Sequence, residues 1–485
     1  MSFVSFQFIP FLAVILAVYY FLSKEKQNIL LLVAGYVFYG ASDYRLLILI
    51  IFSSMLDYGI GLRMSRTPKL TSKRLLLGIS LLINLGILCF FKYANFIIPR
   101  GIDLLSLVGI HLTKPVLEIL MPVGISFYTF KTVSYILDVY REQQKPCTKF
   151  IDYALYVSFF PQLASGPIER ASSLLPQIEC PRTIDKTKII EGLWLMLWGF
   201  YKKMVIADNL AISVNRIFDP GVNVTGFQVL LGVYAFAFQV YCDFSGYTDI
   251  ARGLARLMGF QTPLNFDLPY ISHNPVEFWK RWHISLSTWL RDYIFLPIVY
   301  WVMRHIKKPA LNLKVENWGY ISGIFLTMLI GGIWHGGTWT FALWGAYHGL
   351  WLAVHHIMTR TKKKKKRKTP LKFKRTKHWL KIIGTFHLVC LGWLFFRAND
   401  FEQVGMFLKR LVFEFSIPLY PGETVFPLLL YVPMLLIFEI WIKNSDDPRR
   451  SPGWNILMGP IAVSVIILAI LLLSSPNSGF IYAQF

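Results

Sequence analysis

An all-α fold that crosses a bilayer many times is what this sequence predicts, on three observations. The chain has 485 residues, of which 55% are hydrophobic and only 16% charged, with a mean hydropathy of +0.48, whereas soluble globular chains carry about 25% charged residues. Its apolar residues gather in blocks that approach the ~20 residues a helix needs to cross a hydrocarbon core. Its basic residues collect in the short links between those blocks. Lipid offers backbone groups no hydrogen-bond partner, so spans are helices or closed barrels, and long continuous apolar blocks select helices. With spanning length as the ruler, roughly ten to twelve crossings are expected, together with re-entrant and amphipathic segments.

In chain order the clearest blocks run Phe8 to Leu22, Leu47 to Ile60, Leu75 to Phe91, Ile321 to Ile333, Phe426 to Trp441 and Ile456 to Leu473. The first lacks a basic flank and a small-residue cleavage site, which reads as a retained span. One membrane domain over 1–485 is expected: plain spans in 1–98, a polar-interrupted core in 115–357, a basic cytoplasmic loop in 359–378 and plainer spans in 379–485. The net charge of +23 raises nucleic acid as a partner, but its placement argues against that. Lys24 and Lys26, then Arg63, Arg66, Lys69, Lys73 and Arg74, occupy links, and the densest run is Lys362 to Lys368. Such clusters mark cytoplasmic loops and attract anionic lipid headgroups. The first two links fit an N-terminus on the outer face. The five cysteines (Cys89, Cys147, Cys180, Cys242, Cys390) form no Cys-x-x-Cys pair, so a zinc ribbon or redox motif is unsupported.

Polar residues at membrane depth are expensive and face a protein interior or a cavity, so the polar-interrupted middle carries the chemistry. Gly331-Gly-Ile-Trp-His335-Gly-Gly-Thr-Trp339 sets one imidazole among four glycines at a turn between two apolar blocks. Glycine allows close backbone approach, and an imidazole suits a general base near neutral pH; a satisfied histidine in a helix hairpin is the bland alternative. Phe278 to Asp292, read as a helix, puts Phe278, Trp282, Ser285 and Trp289 on one face with His283 beside them. Trp334 and Trp339 flank His335, and Lys280, Arg281 and Arg291 are suited to donor phosphates or lipid headgroups. An interfacial amphipathic helix explains the same pattern. Asp243 and Asp249 invite a metal or proton relay, but i and i+6 do not share a helix face; Asp243 is better read as a helix cap or as a partner of Arg252 or Arg256. Phe159 to Arg170 holds two prolines and a glycine, which forbid a straight helix and suggest either a tunnel wall or a kinked connector. His348, His355 and His356 have no accompanying carboxylate and read as packing. No P-loop, Gly-x-Ser-x-Gly or His-Glu-x-x-His occurs, and no metal site is expected.

Taken in order, Pro122-Val-Gly-Ile-Ser-Phe-Tyr-Thr-Phe130, Phe159-Phe-Pro-Gln-Leu-Ala-Ser-Gly-Pro-Ile168, Asp243-Phe-Ser-Gly-Tyr-Thr-Asp-Ile250, Phe278-Trp-Lys-Arg-Trp-His-Ile-Ser-Leu-Ser287, Trp334-His-Gly-Gly337 and the terminal Gly479-Phe-Ile-Tyr-Ala-Gln-Phe485 resemble the membrane-bound O-acyltransferase (MBOAT) family. The likeness is to its bacterial branch of alginate O-acetyltransferase type and runs over nearly the whole chain. The resemblance implies a central tunnel or funnel, with His335 catalytic and His283 the second polar position of the site. Trp334, Trp279, Lys280, Arg281, Ser285, Arg291 and Asp243 are the candidate substrate- or donor-binding residues.

The resemblance further implies acyl transfer from a cytoplasmic thioester, acetyl-CoA being the expected donor substrate, with no bound cofactor. The acceptor is an exported polysaccharide or cell-wall polymer, reached directly or through a serine of a periplasmic acetyltransferase partner, and the location is the bacterial inner membrane. The branch exporting D-alanine to teichoic acid is the nearest alternative within the family. A transporter or channel for a polysaccharide precursor is an alternative of another class, and a structural scaffold for a synthase complex a third. Basic links flank the His335 hairpin, with Arg304, Lys307 and Lys308 before it and the lysine run after it. If both are cytoplasmic, the hairpin enters from inside and turns with His335 at depth or near the outer face.

Overall fold

The computed structural model describes residues 1–113, 122, 124–163, 166–306, 314–360, 371–418, 422–442, 458–476 and 478–481. Val123, Ala164, Ser165, Lys307, Lys308, the lysine run and residues 482–485 of the terminal motif lie outside the described residues. Helices make up the fold, and the described residues contain no strand. The N-terminal part is α1 (Phe8–Tyr19), α2 (Lys24–Gly40), α3 (Leu47–Arg66) and α4 (Leu70–Leu107). α2 and α3 separate the first two basic links, so two helix lengths return the chain to the same side. The 38 residues of α4 extend about 57 Å at 1.5 Å per residue, well beyond a ~30 Å hydrocarbon core.

Short, broken elements follow: α5 (Ile125–Tyr140), α6 (Phe150–Ser158), the single turn α7 (Phe160–Leu163) and α8 (Ala171–Glu179). Pro161, Gly166 and Pro167 prevent one straight helix, as the sequence predicts, and the described part of 159–169 is buried throughout. Gly124, at φ +75, starts α5 where a side chain would strike the Leu163 backbone, so the Pro122 and Phe159 motifs are packed together.

The centre of the molecule is α11 (Gly226–Leu257), entered through a capping box between Thr225 and Gln228. Its apolar window is 72% buried, against 17% for α4: α11 is wrapped in protein and α4 lies at the periphery. α9 (Lys186–Phe200) runs on through a π-helical turn, Tyr201–Ala207, into α10 (Asp208–Ile217). It meets α11 along a seam of glycines, where a Cβ on Gly192 would sit 2.8 Å from the Gly253 carbonyl oxygen and one on Gly246 2.8 Å from that of Gly199. Small residues let backbones close to this distance, the usual device for helix association in lipid.

A second seam joins α15 (Val315–His335) to α16 (Trp339–Arg360), where a Cβ on Gly332 would lie 2.8 Å from the Gly345 Cα. Between the seams lie α12 (Pro275–Arg281), α13 (Ile284–Leu290), a π-helical turn at Arg291–Phe295 and α14 (Leu296–His305); the chain ends with α17 (Leu371–Arg397), α18 (Phe401–Phe413), α19 (Gly422–Ile442) and α20 (Met458–Leu473).

By length and composition four described helices can cross a membrane: Tyr44–Arg66, Leu70–Leu107, Gly226–Leu257 and Thr376–Arg397, with shorter apolar helices at Phe8–Tyr19, Val425–Ile440 and Gly459–Leu473. The other described helices are short, or carry charged residues, histidines, tryptophans and glycines that lower their mean hydropathy. The α9–α10 unit, for example, holds Lys202, Lys203 and Asp208, all buried.

The expected single helix over Phe278–Asp292 is corrected by the structure. α12 stops at Arg281, and His283 takes φ +42 before α13 begins. The cause is the preceding loop. Arg281 O accepts from Asp267 N at 2.9 Å, and Ile284 N donates to Asn265 O at 2.9 Å, so residues 265–267 template the chain between the two helices. Phe278, Trp282, Ser285 and Trp289 are still all buried.

Candidate active site

Two histidines from separate motifs are brought into one buried region. His335 is the last residue of α15 and His283 precedes α13; they are 4% and 1% exposed. They lie within electrostatic reach of each other, and Lys92 of α4 reaches His335 as well. Rings enclose His335: Trp334 at 4.7 Å, Trp344 edge-on at 5.1 Å and Phe396 at 5.2 Å. The turn is braced by α4, where Tyr93 Oη donates to Ile333 O at 2.8 Å and Lys92 Nζ stands 4.9 Å from the Trp334 ring centroid. Beyond it Phe96 packs on Trp339 at 6.2 Å.

His283 is held differently. Its Nδ1 is 3.2 Å from Asn265 Oδ1, which also accepts from Ser285 N at 3.1 Å and Ser285 Oγ at 2.9 Å. Phe244 meets the imidazole edge-on at 4.6 Å. Ser285 Oγ in turn accepts from Ile168 N at 3.0 Å, tying the proline-broken segment to the histidine. The Ser285 hydroxyl is therefore a structural bridge.

The remaining candidates divide. Trp334 Nε1 and Trp279 Nε1 are buried without a hydrogen-bond partner among the described residues, as are Trp344 Nε1, Trp393 Nε1 and His348 Nδ1. Trp279, Trp344 and His348 form one cluster with centroids 5.0–5.7 Å apart, and Trp344 joins it to His335. Lys280 is exposed. Arg281 bonds Glu277 and Asp267, whereas Arg291 bonds Asp292, which Arg170 also engages. The two arginines thus belong to separate ion-pair groups.

Asp243 is not a helix cap, because α11 continues through it, and its partner is neither Arg252 nor Arg256. It pairs with Lys203 at 2.7 Å, and Lys203 also pairs with Asp208 at 2.8 Å. Ile481 N donates to Asp243 Oδ2 at 2.7 Å, and Lys203 Nζ donates to Gly479 O at 2.7 Å. Asp249 pairs with Lys202 at 2.5 Å and with Arg252 at 3.4 Å. The two aspartates thus point into two separate ion-pair groups, as their spacing of six on one helix requires.

Sequence reasoning missed three groups. Asn265 sits in a loop without a motif and carries no sequence signal. Lys92 had one, since a lysine inside an otherwise apolar helix is itself a marker. Lys131, Gln162 and Glu169 form a buried chain in which Lys131 Nζ donates to Gln162 Oε1 at 2.8 Å and Gln162 Nε2 donates to Glu169; the signal was a charged residue directly after each of the motifs at Pro122 and Phe159.

An all-helical membrane protein with paired buried histidines, one at a glycine-rich helix hairpin, is the form of a membrane-embedded acyltransferase. The family model for the membrane-bound O-acyltransferases (MBOAT) matches residues 71–395, and the chain belongs to that family. It is an acyltransferase and a multi-pass membrane protein. Among its relatives, the probable alginate O-acetylase of Pseudomonas putida is 39% identical, with 98% of each chain covered. The peptidoglycan O-acetyltransferase of Helicobacter pylori is 32% identical over 79% of this chain and 73% of its own. The teichoic acid D-alanyltransferase of Bacillus subtilis is 32% identical over 58% of this chain and 69% of its own.

Proposed function

We propose that the protein moves an acetyl group from a cytoplasmic thioester, acetyl-CoA, to an exported polysaccharide of alginate type, with His335 as general base. The observation that carries this reading is the convergence of His335 and His283 in one buried region. The acceptor hydroxyl gives its proton to His335 while its oxygen attacks the thioester carbonyl. A new C–O bond forms, the tetrahedral intermediate collapses with loss of the C–S bond, and the departing thiolate takes up the proton. The buried indole N–H groups of Trp279, Trp334 and Trp344 are suited to donate to carbonyl oxygens, and their burial makes an unmade hydrogen bond costly.

The direction of transfer is supported by α4. Lys92 stands some 18 residues after the basic link ending at Arg74, roughly 27 Å along the helix and close to a full hydrocarbon thickness. With that link cytoplasmic, the His335 turn lies toward the outer face of the bacterial inner membrane. An external acceptor, either the polymer or the serine of a periplasmic partner, reaches down to it. The extent of the alginate-type match favours this acceptor class over teichoic acid.

The test is acetyl transfer by purified protein from radiolabelled acetyl-CoA to candidate polymers and partner proteins. His335→Ala is expected to lower transfer by about 10²–10⁴, the usual contribution of a positioned general base, with the protein level unchanged. Undiminished acetylation in this variant would return the chain to a transport or scaffold role. Cysteine accessibility across Gly332–Thr338 tests the geometry: labelling from the cytoplasmic side alone, as strong as for a cytoplasmic loop, contradicts transfer across the membrane.

A further inference from the structure

We propose that Asn265 is a positioning residue that holds His283 with its proton on Nδ1, so that Nε2 is its basic nitrogen. This rests on the acyl-transfer reading above and adds a residue to it.

The argument is one of hydrogen-bond polarity. An asparagine side chain ends in an oxygen that only accepts and a nitrogen that only donates. The Asn265 atom facing Ser285 and His283 lies 3.1 Å from the Ser285 backbone nitrogen. A backbone N–H can only donate, so this atom is the carbonyl oxygen and the orientation of the amide follows from its neighbours. The same oxygen lies 3.2 Å from His283 Nδ1, and a ring nitrogen bonded to a carbonyl oxygen must donate. A neutral imidazole carries one N–H; with that proton on Nδ1, the lone pair is on Nε2.

The neighbours agree on this polarity. Ile168 N–H donates to Ser285 Oγ at 3.0 Å, which leaves the Ser285 hydroxyl proton to be directed at Asn265 Oδ1, 2.9 Å away. Asn265 is fully buried, and its own carbonyl accepts from Ile284 N at 2.9 Å. The left-handed backbone of His283, φ 42 and ψ 56, is strained in a non-glycine residue and is maintained between these two Asn265 contacts. The Phe244 edge at 4.6 Å fixes the plane of the ring. Asn265 therefore determines the position of His283 and which of its nitrogens is basic.

Nitrogen-15 NMR of the full-length protein, labelled at histidine and assigned by difference with His283→Gln, reads the tautomer directly. The wild type is expected to show a protonated Nδ1 and an unprotonated Nε2 at His283. Asn265→Leu, close in shape but without an acceptor, is expected to lose that single tautomer and to lower kcat at least about tenfold, with little change in KM for acetyl-CoA. Asn265→Asp keeps acceptor oxygens toward Ser285 and His283, and is expected to retain the Nδ1–H signature and recover most of the rate. An Nε2–H tautomer in the wild type overturns the proposal, even if Asn265→Leu does not accumulate. Wild-type tautomer and kcat in Asn265→Leu overturn it as well. A wild type with the expected tautomer that transfers no acetyl group sinks the proposed function and leaves the tautomer assignment standing.

Discussion

Lys92 shows what one residue can reveal about a helix that otherwise looks featureless. It belongs to α4, whose apolar window is only 17% buried. A lysine inside an otherwise apolar span is a marker of function. Its ammonium stands 4.9 Å from the Trp334 ring centroid, a cation–π contact worth about 0.5–2 kcal/mol. In the proposed reaction its ammonium would balance negative charge that develops beside His335 during attack on a carbonyl. Lys92→Met is expected to melt no lower than the wild type in a detergent thermal-shift assay, yet to transfer acetyl groups about 10²-fold more slowly, the scale of losing one oxyanion-stabilising donor. A wild-type rate in that variant would make Lys92 an anchoring residue only.

At the scale of elements, the two glycine seams decide where the histidines stand. The α15–α16 seam closes the hairpin that carries His335, and the α9–α11 seam holds the helix whose Phe244 packs on His283. At Gly246 a methyl group would meet the Gly199 carbonyl oxygen at 2.8 Å and Lys203 N at 3.1 Å, whereas at Gly78 it would meet nothing within 4 Å. Gly246→Ala is expected to destabilise the protein by about 1–3 kcal/mol, the usual cost of overpacking. Gly78→Ala should be neutral or stabilising by up to about 1 kcal/mol. Thermal unfolding of both variants checks the pair, and equal melting temperatures would contradict the seam. The helices themselves were legible from apolar blocks, and the break at Pro161–Pro167 from its prolines. The break at His283 was not, because Trp282-His283-Ile284 contains neither proline nor glycine and its cause lies in the loop at 265–267.

At the scale of the whole molecule, the C-terminal segment closes the fold. The Asp208 carboxylate accepts from Ser478 N and Oγ at 3.2 and 2.6 Å, and Asp243 accepts from Ile481 N. Phe480 packs on Tyr247 at 4.4 Å and on Phe244 at 5.9 Å, one ring away from His283. Removing one partner of a buried ion pair typically costs about 3–5 kcal/mol. Asp243→Asn is therefore expected to lower the melting temperature strongly while leaving KM for acetyl-CoA and acceptor unchanged in the protein that folds; a raised KM at wild-type stability would make Asp243 a substrate ligand instead. Deleting residues 478–485 is expected to lower both stability and transfer, and a fully active deletion variant would refute the coupling to His283.

The sequence by itself determined the bilayer as solvent, the helical class, the family, and the two histidines to examine first. Composition, block length and motif residues are local properties, and the cost of exposing backbone to lipid translates them directly into spanning helices. Only the tertiary structure decided which polar residues meet. It joined His283 to Asn265, Trp334 to Lys92, and Asp243 to Lys203 and Ile481. The physical reason is that a buried polar group must be satisfied by whatever donor or acceptor packing delivers, and in this chain those partners come from other helices and loops, at separations that carry no periodic signal.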